Sequence, residues 1–294
     1  MPSLKDIKRR IKSTKNTQQI TKAMKMVSAA KLKRAQDEIT AARPYAEKIQ
    51  ELTLSLAAKT SPESHPLLSG AGGTKIGLIL MTSDRGLCGG FNTVLLRTAD
   101  RFIESRGDAQ TTPAISLYLI GRRAMEHFKR RQYILLKSKN AGTGRPNYSA
   151  ATETAKELIG LYLNGELDEV HLVYSEFKSA LTQRPVVHKV LPISAEKTAG
   201  KNDTEPEDVE AIFEPSRDAV LKSLLPKYVE TQIFRAMLES SASEHGARMT
   251  AMDSASRNAK EMIGGLTLKY NRLRQAAITK ELMEIVGGAE ALKG

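Results

Sequence analysis

The chain has no tryptophan, and aromatic residues make up only 5% of its 294 positions. That share is thin for one compact globule and typical of chains with much coiled coil. A single cysteine, Cys88, excludes an internal disulfide and a thiolate metal cluster within the chain, and suits a reducing compartment. No run of about 18 apolar residues occurs, so no segment is expected to span a bilayer as a helix. The opening MPSLKDIKRRIKSTKN has no apolar stretch, so no secretory signal is expected there. Proline is absent from Ser3 to Arg43 and again after Pro226. Both ends can therefore carry long unbroken helices.

The C-terminal run from Glu230 to Gly294 predicts one such helix. A heptad grid fits it: Leu238, Ala242, His245, Met249, Met252, Ser256, Ala259, Ile263, Leu266, Tyr270, Leu273 and Ala277. This 3-4 spacing places the side chains on one seam, as for a helix supercoiled around a partner, although a long core helix of a bundle has the same pattern. Alanine and serine in the seam let a partner backbone come close. Beyond Ala277 the apolar residues Ile278, Leu282, Ile285 and Val286 drift off the grid, and this part is expected to outrun its partner.

The second helix is expected from Ser3 to Lys59, with a kink or change of direction at Pro44. At about 1.5 Å per residue it reaches roughly 80 Å, and the C-terminal helix is longer by about 20–30 Å. Leu4, Ile7 and Ile11, then Leu32, Ala35, Ile39, Ala42, Ala46, Ile49 and Leu56, follow a heptad grid. In between, the grid meets Thr14, Gln18, Thr21, Lys25 and Ser28, while the apolar stripe moves to Ile20, Met24 and Val27. The expectation is that the packing face slips there.

Net charge is +12, which points to an acidic partner: nucleic acid, an anionic surface or an acidic protein. Residues 1–59 hold 14 Lys/Arg against 5 Asp/Glu, and residues 215–294 hold 12 against 9. The stretch between them is neutral, so the basic character belongs to the terminal helices. Residues 1–35 carry 11 basic groups opposed only by Asp6. A merely solvated face would mix signs through i,i+4 pairs, so the one-sided charge favours an acidic counter-surface.

Residues 60–73 are turn and linker chemistry. Strands are expected at Lys75–Thr82, Ala114–Ile120, Tyr133–Lys137 and Glu169–Glu176, with an antiparallel edge at Val186–Leu191. Helices are expected at Asn92–Arg106, Arg122–Arg131 and Ser149–Leu163. The alternation predicts a small α/β sheet with helices on its faces. The fold class is thus α/β plus long coiled coil: an antiparallel pair of N- and C-terminal helices with the sheet domain inserted between them. The expected divisions are 1–59 and 215–294 for the coiled coil, 74–193 for the central domain, and 194–214 for a mobile loop and connection. Pro215 and Pro226 punctuate the approach to the last helix.

Little of this suggests catalysis. TSDRGLCGGFN, Thr82 to Asn92, follows a strand and precedes a helix, where a phosphate loop would lie. It has no GK[ST], and Gly86, Gly89 and Gly90 do not make G-x-G-x-x-G. The open readings are a tight turn, a small-ligand site, or a loop that lets another protein's backbone approach. Cys88 lacks a neighbouring histidine or resolving cysteine and reads as a small apolar filler. The five histidines have no metal-ligand spacing, and no G-x-S-x-G occurs. No cofactor, metal site or catalytic residue is expected.

Three blocks carry a family resemblance: IKSTKNTQQITKAMKMVSAAKLKRAQ with ARPYA; TSDRGLCGGFN; and SEHGARMTAMDSASRNAKEMI with YNRLRQAAITKELMEIVGGAEAL. In these the chain resembles the gamma subunit of the rotary F-type ATP synthase, in its bacterial form. The resemblance implies a non-catalytic central stalk whose helix pair turns inside a ring of alpha and beta subunits, with the α/β domain against the epsilon subunit and the c-ring. It implies that proton-driven rotation is coupled to ATP synthesis or hydrolysis at the catalytic ring by asymmetric contacts. Localisation would be peripheral, on the cytoplasmic face of the bacterial inner membrane, through partners alone. The family's coupling positions fall on Met24 in KAMKM with Lys25 beside it, on Arg248 in GARM, and on Arg274, Gln275 and Thr279 in RLRQAAIT. The loop with Arg85 and Cys88 would approach an acidic lever of a beta subunit, and Arg9 is a further contact candidate on charge. The pair of regulatory cysteines of chloroplast forms is absent. A basic coiled coil that binds nucleic acid is the alternative from charge, although no recognition motif supports it and no nucleic acid is expected as a partner.

Overall fold

The computed structural model describes residues 3–70, 72–106, 115–142, 144–193 and 216–291. The connection at 194–214, expected as a mobile loop, lies outside the described residues, as does Ala114 of the second expected strand. Two helices dominate the chain: α1, Leu4–Ala58, of 55 residues, and α5, Arg217–Ala291, of 75 residues. Both contain a proline that the sequence suggested as a break. Pro44 lies inside α1, exposed, so the carbonyl it leaves without an N–H partner faces water. Pro226 does not mark the approach to α5 but sits within it. Leu221, Leu225, Tyr228 and Val229 on both sides of it are buried, and that packing overrides the lost backbone bond.

The chain divides into two compact units, Met1–Ser28 with Arg248–Gly294, and Ala29–Ala247. In the first, α1 starts with a capping box. The Ser3 hydroxyl accepts the Asp6 N–H at 3.1 Å, and the Asp6 carboxylate accepts the Ser3 N–H at 3.3 Å. The Ser3 bonds hold Asp6 below its usual carboxylate pKa. The helices of this unit run antiparallel: Lys25 meets Asp253 at 2.6 Å, and farther back along α1 Thr14 meets Met262 farther forward along α5.

Their seam follows the heptad grid closely. Among described residues 257–289, the positions that are not exposed are Ala259, Ile263, Leu266, Tyr270, Leu273 and Ala277, all on the grid. From Ile278 to Ala289 every residue is exposed. The slip expected in α1 does not occur. Thr21 and Ser28 are buried at 8% and 3%, whereas Ile20 and Val27 are about 60% exposed. The seam stays on one continuous heptad line, with Ile7 and Ile11 at the start of α1 and the small polar Thr21 and Ser28 farther along it.

The second unit holds a five-stranded sheet in the order β3-β2-β1-β4-β5. Its strands are β1 Ile76–Met81, β2 Ile115–Ile120, β3 Ile134–Lys139, β4 Glu169–Phe177 and β5 Gln183–Leu191. The first four are parallel, and β5 pairs antiparallel with β4 as an edge. The helices between strands are α2 Phe91–Arg106, α3 Arg122–Phe128 and α4 Tyr148–Leu163.

Both sheet faces are covered, so β1 and β2 are buried at every position. Leu78, Leu80, Leu117, Leu119 and Val173 pack with Phe91, Leu95 and Ala99 of α2 and with Phe128 of α3. On the other face Ile79, Tyr118 and Leu172 share a core with Ala155 and Leu158 of α4, Ile49 and Leu56 of α1, and Leu225 and Ile233 of α5. The chain turns out of β2 at Gly121, with φ +100°, where a Cβ would lie 2.1 Å from the Thr82 carbonyl oxygen. Only glycine fits that approach.

Candidate functional site

The residues singled out in the sequence occupy two places, one in each unit. In the helix pair, Met24 is half-buried and lies on a stripe with the exposed Ile20 and Val27. Ile20 and Val27 were legible as apolar but were assigned to the inner face. Lys25 is held by Asp253, which Arg257 also contacts at 3.2 Å. The Lys25 hydrogen bond, with the charges of Lys25 and Arg257, keeps the Asp253 carboxyl below its ordinary range. Arg9 is exposed and pairs with Asp6 at 3.1 Å. Arg248 is half-buried.

Arg274, Gln275 and Thr279 are all exposed and lie beside the apolar end of α5. Gln275, Thr279, Leu282 and Val286 share one line of the helix by their i,i+4 and i,i+7 spacing, and Arg274, Ile278 and Ile285 share the next. Leu282, Met283, Ile285 and Val286 are each more than half exposed. An apolar surface of this kind, set among polar groups, marks a contact site.

The second place is the loop after β1. Its chain is cross-linked by its own side chains. Asn92 donates to Ser83 Oγ at 2.8 Å and to Cys88 Sγ at 3.2 Å, and the Ser83 N–H donates to Asn92 Oδ1 at 3.0 Å. Asp84 anchors the loop to two other segments by accepting the N–H groups of Arg122, Ala141 and Gly142 at 2.9–3.0 Å. Sequence reading missed Asp84, because its partners lie 38 or more residues away.

Cys88 is 1% exposed and belongs to the core under α2, in keeping with its reading as an apolar filler. Its thiol is turned inward, toward Asn92 and the Arg85 carbonyl oxygen at 3.9 Å. The outward side chains are Arg85 and Leu87. Leu87 has φ 62° and is 63% exposed. A leucine in the left-handed region is uncommon and costs about 1 kcal/mol or more. No sequence signal pointed to it beyond the glycines beside it.

No group of three or more His, Cys, Asp or Glu that could hold a metal ion occurs among the described residues. No helix among them is long and apolar enough to cross a membrane. His171 is buried against Glu169 at 2.8 Å, and burial lowers its pKa.

These features define a class: an antiparallel pair of long terminal helices with a mostly parallel α/β sheet between them in the chain. A family model described as ATP synthase matches residues 3–292. The chain is 53% identical to the ATP synthase gamma chain of Geotalea uraniireducens over the whole of both chains. It is 50% identical to that of Heliobacterium modesticaldum over 99% of this chain and 100% of that one. The chain belongs to the ATP synthase gamma-chain family.

Solved structures share its fold. A chain of the Euglena gracilis mitochondrial ATP synthase, from the OSCP/F1/c-ring structure in rotational state 3, matches with a TM-score of 0.71 at 19% identity, covering 98% of this chain and 94% of that one. A chain of the Tetrahymena thermophila mitochondrial ATP synthase central stalk and c-ring matches at 0.60 and 24% identity, covering 81% of this chain and 99% of that one.

Proposed function

We propose that this chain is the central-stalk rotor subunit of a bacterial F-type ATP synthase and couples rotation of the membrane c-ring to ATP synthesis or hydrolysis in the alpha/beta ring. The observation that carries the reading is the end of the α5 seam at Ala277, after which an exposed apolar tip continues. Such a tip needs a sleeve supplied by other subunits. The gamma-chain relatives and the central-stalk and F1/c-ring assemblies that hold chains of similar fold support the same reading.

In this role the chain performs no chemistry. Residues 1–59 and 215–294 transmit torque, and the central domain, 74–193, meets the epsilon subunit and the c-ring. Met24, Lys25, Arg9, Arg248, Arg274, Gln275 and Thr279 contact the ring subunits from the helices. The loop with Arg85 and Cys88 meets a beta lever through the outward Arg85 and Leu87. The one-sided basic charge of α1 suits acidic levers through contacts that exchange as the shaft turns. The chain is peripheral on the cytoplasmic face of the inner membrane, held there by its partners.

Co-purification tests the reading. A tagged chain expressed in its own cell is expected to bring down stoichiometric alpha, beta and epsilon subunits. Recovery of the chain alone, or with nucleic acid in their place, overturns it.

A further inference from the structure

The second unit also holds a histidine at the joint between α5 and the antiparallel edge of the sheet. His188 of β5 stands opposite Leu172 of β4, and its neighbour pair is Val186 with Tyr174. Cross-strand partners share a face, and Leu172 and Tyr174 both pack in the core that α5 enters through Leu225, Val229, Ile233 and Ala236. Farther along α5 the Ser243 hydroxyl donates to the Ser175 carbonyl oxygen of β4 at 3.0 Å. The Nε2 atom of His188 is buried and has no hydrogen-bond partner among the described residues.

The charges around this ring oppose a further positive charge. Arg235 of α5 acts on it most strongly, followed by His171 of β4. Glu239 of α5 is taken up by Arg235 at 2.8 Å, and Tyr174 and Glu176 of β4 also lie in the field of Arg235. On α1, Arg43 and Glu47 line the same cavity as Arg235 and Glu239 and have opposite signs. On β5 itself Lys189 is paired with Glu169 at 2.7 Å and Arg184 is exposed. No carboxylate among the described residues pairs with His188. Burial first, and the Arg235 charge second, hold its pKa below the ordinary 6.5.

We infer that His188 makes the seat of α5 on the β4–β5 edge an acid-sensitive latch, closed while the imidazole is neutral and released locally when mild acid protonates it. In the open joint water solvates the imidazolium, and in the closed joint nothing does. Because the closed-state pKa is the lower one, His188 leaves the joint intact above 6.5. It weighs against closure as pH falls below that value. The inference is independent of the rotor assignment.

The test is amide hydrogen exchange of the full-length chain, corrected for intrinsic rates, in peptides covering residues 183–191 and 228–243. Between about pH 7.5 and about pH 5.5 the open population there is expected to rise about three- to tenfold, while a peptide covering residues 76–81 of β1 stays unchanged. His188→Leu is expected to lose the rise, and His188→Gln serves the same purpose if the leucine variant misfolds. His171→Gln, whose ring packs on the other face against Phe102, is expected to keep it. A rise under about twofold in the parent, an equal rise in a folded His188 variant, or loss of the rise in His171→Gln overturns the inference.

Discussion

Consider Ala259→Leu and Ile20→Ala, two changes for which hydropathy and packing predict opposite signs. Ala259 is 7% exposed in the seam of the helix pair, and Ile20 is 60% exposed on α1. By hydropathy alone, a leucine added to a heptad position strengthens a coiled coil, and the loss of an isoleucine weakens it. The structure predicts the reverse. Three extra carbon atoms at Ala259 have no room where the backbones approach, and overpacking of this kind costs about 1–3 kcal/mol. Ile20 has little burial to lose, and alanine favours the helix slightly, so its replacement changes stability by less than about 0.5 kcal/mol.

The helix pair opens locally rather than with the whole chain, so the assay is amide hydrogen exchange of peptides covering residues 14–25 and 252–263. At 1.4 kcal/mol per factor of ten, Ala259→Leu should accelerate exchange there about 5- to 150-fold. Ile20→Ala should stay within about twofold of the parent. Exchange that is slower in Ala259→Leu, or strongly faster in Ile20→Ala, would refute the packing argument and restore the slipped seam.

Three further outcomes follow from the same geometry. Met24→Lys places another cation beside Lys22 and Lys25 on the exposed stripe, and ATP hydrolysis by the reassembled complex should persist while proton pumping falls; unchanged pumping in inverted vesicles counts against the site. Asp253→Asn removes the partner of Lys25. Because the folded-state pKa of Asp253 is depressed below its ordinary 3.8, its contribution is present above that value and lost as pH falls through the folded one. The variant and parent should therefore differ in helix-pair exchange at neutral pH and converge in strong acid. Leu87→Gly relieves the left-handed backbone and should stabilise the second unit by about 0.5–1 kcal/mol in urea unfolding, while the loss of its exposed side chain weakens coupling. A destabilised variant would show that Leu87 is not strained.

Much of this protein could be read from residue order because its largest elements are repetitive. The heptad spacing from Met252 to Ala277 marks the residues that meet α1, and it does so because a helix surface is determined by local periodicity. The α/β alternation was legible for the same reason, since strands buried on both faces are continuous apolar runs. Tertiary structure decided the rest. It turned Ile20 and Val27 outward and Thr21 inward, because the two helices pair along one continuous heptad line and whatever side chains lie on that line are covered. It carried α5 through Pro226, because burial on both sides outweighs one missing hydrogen bond. It also set the loop after β1, where Asp84 reaches segments far along the chain and Leu87 is left on the surface. No local pattern encodes that choice, which is made by contacts that exist only once the sheet has formed.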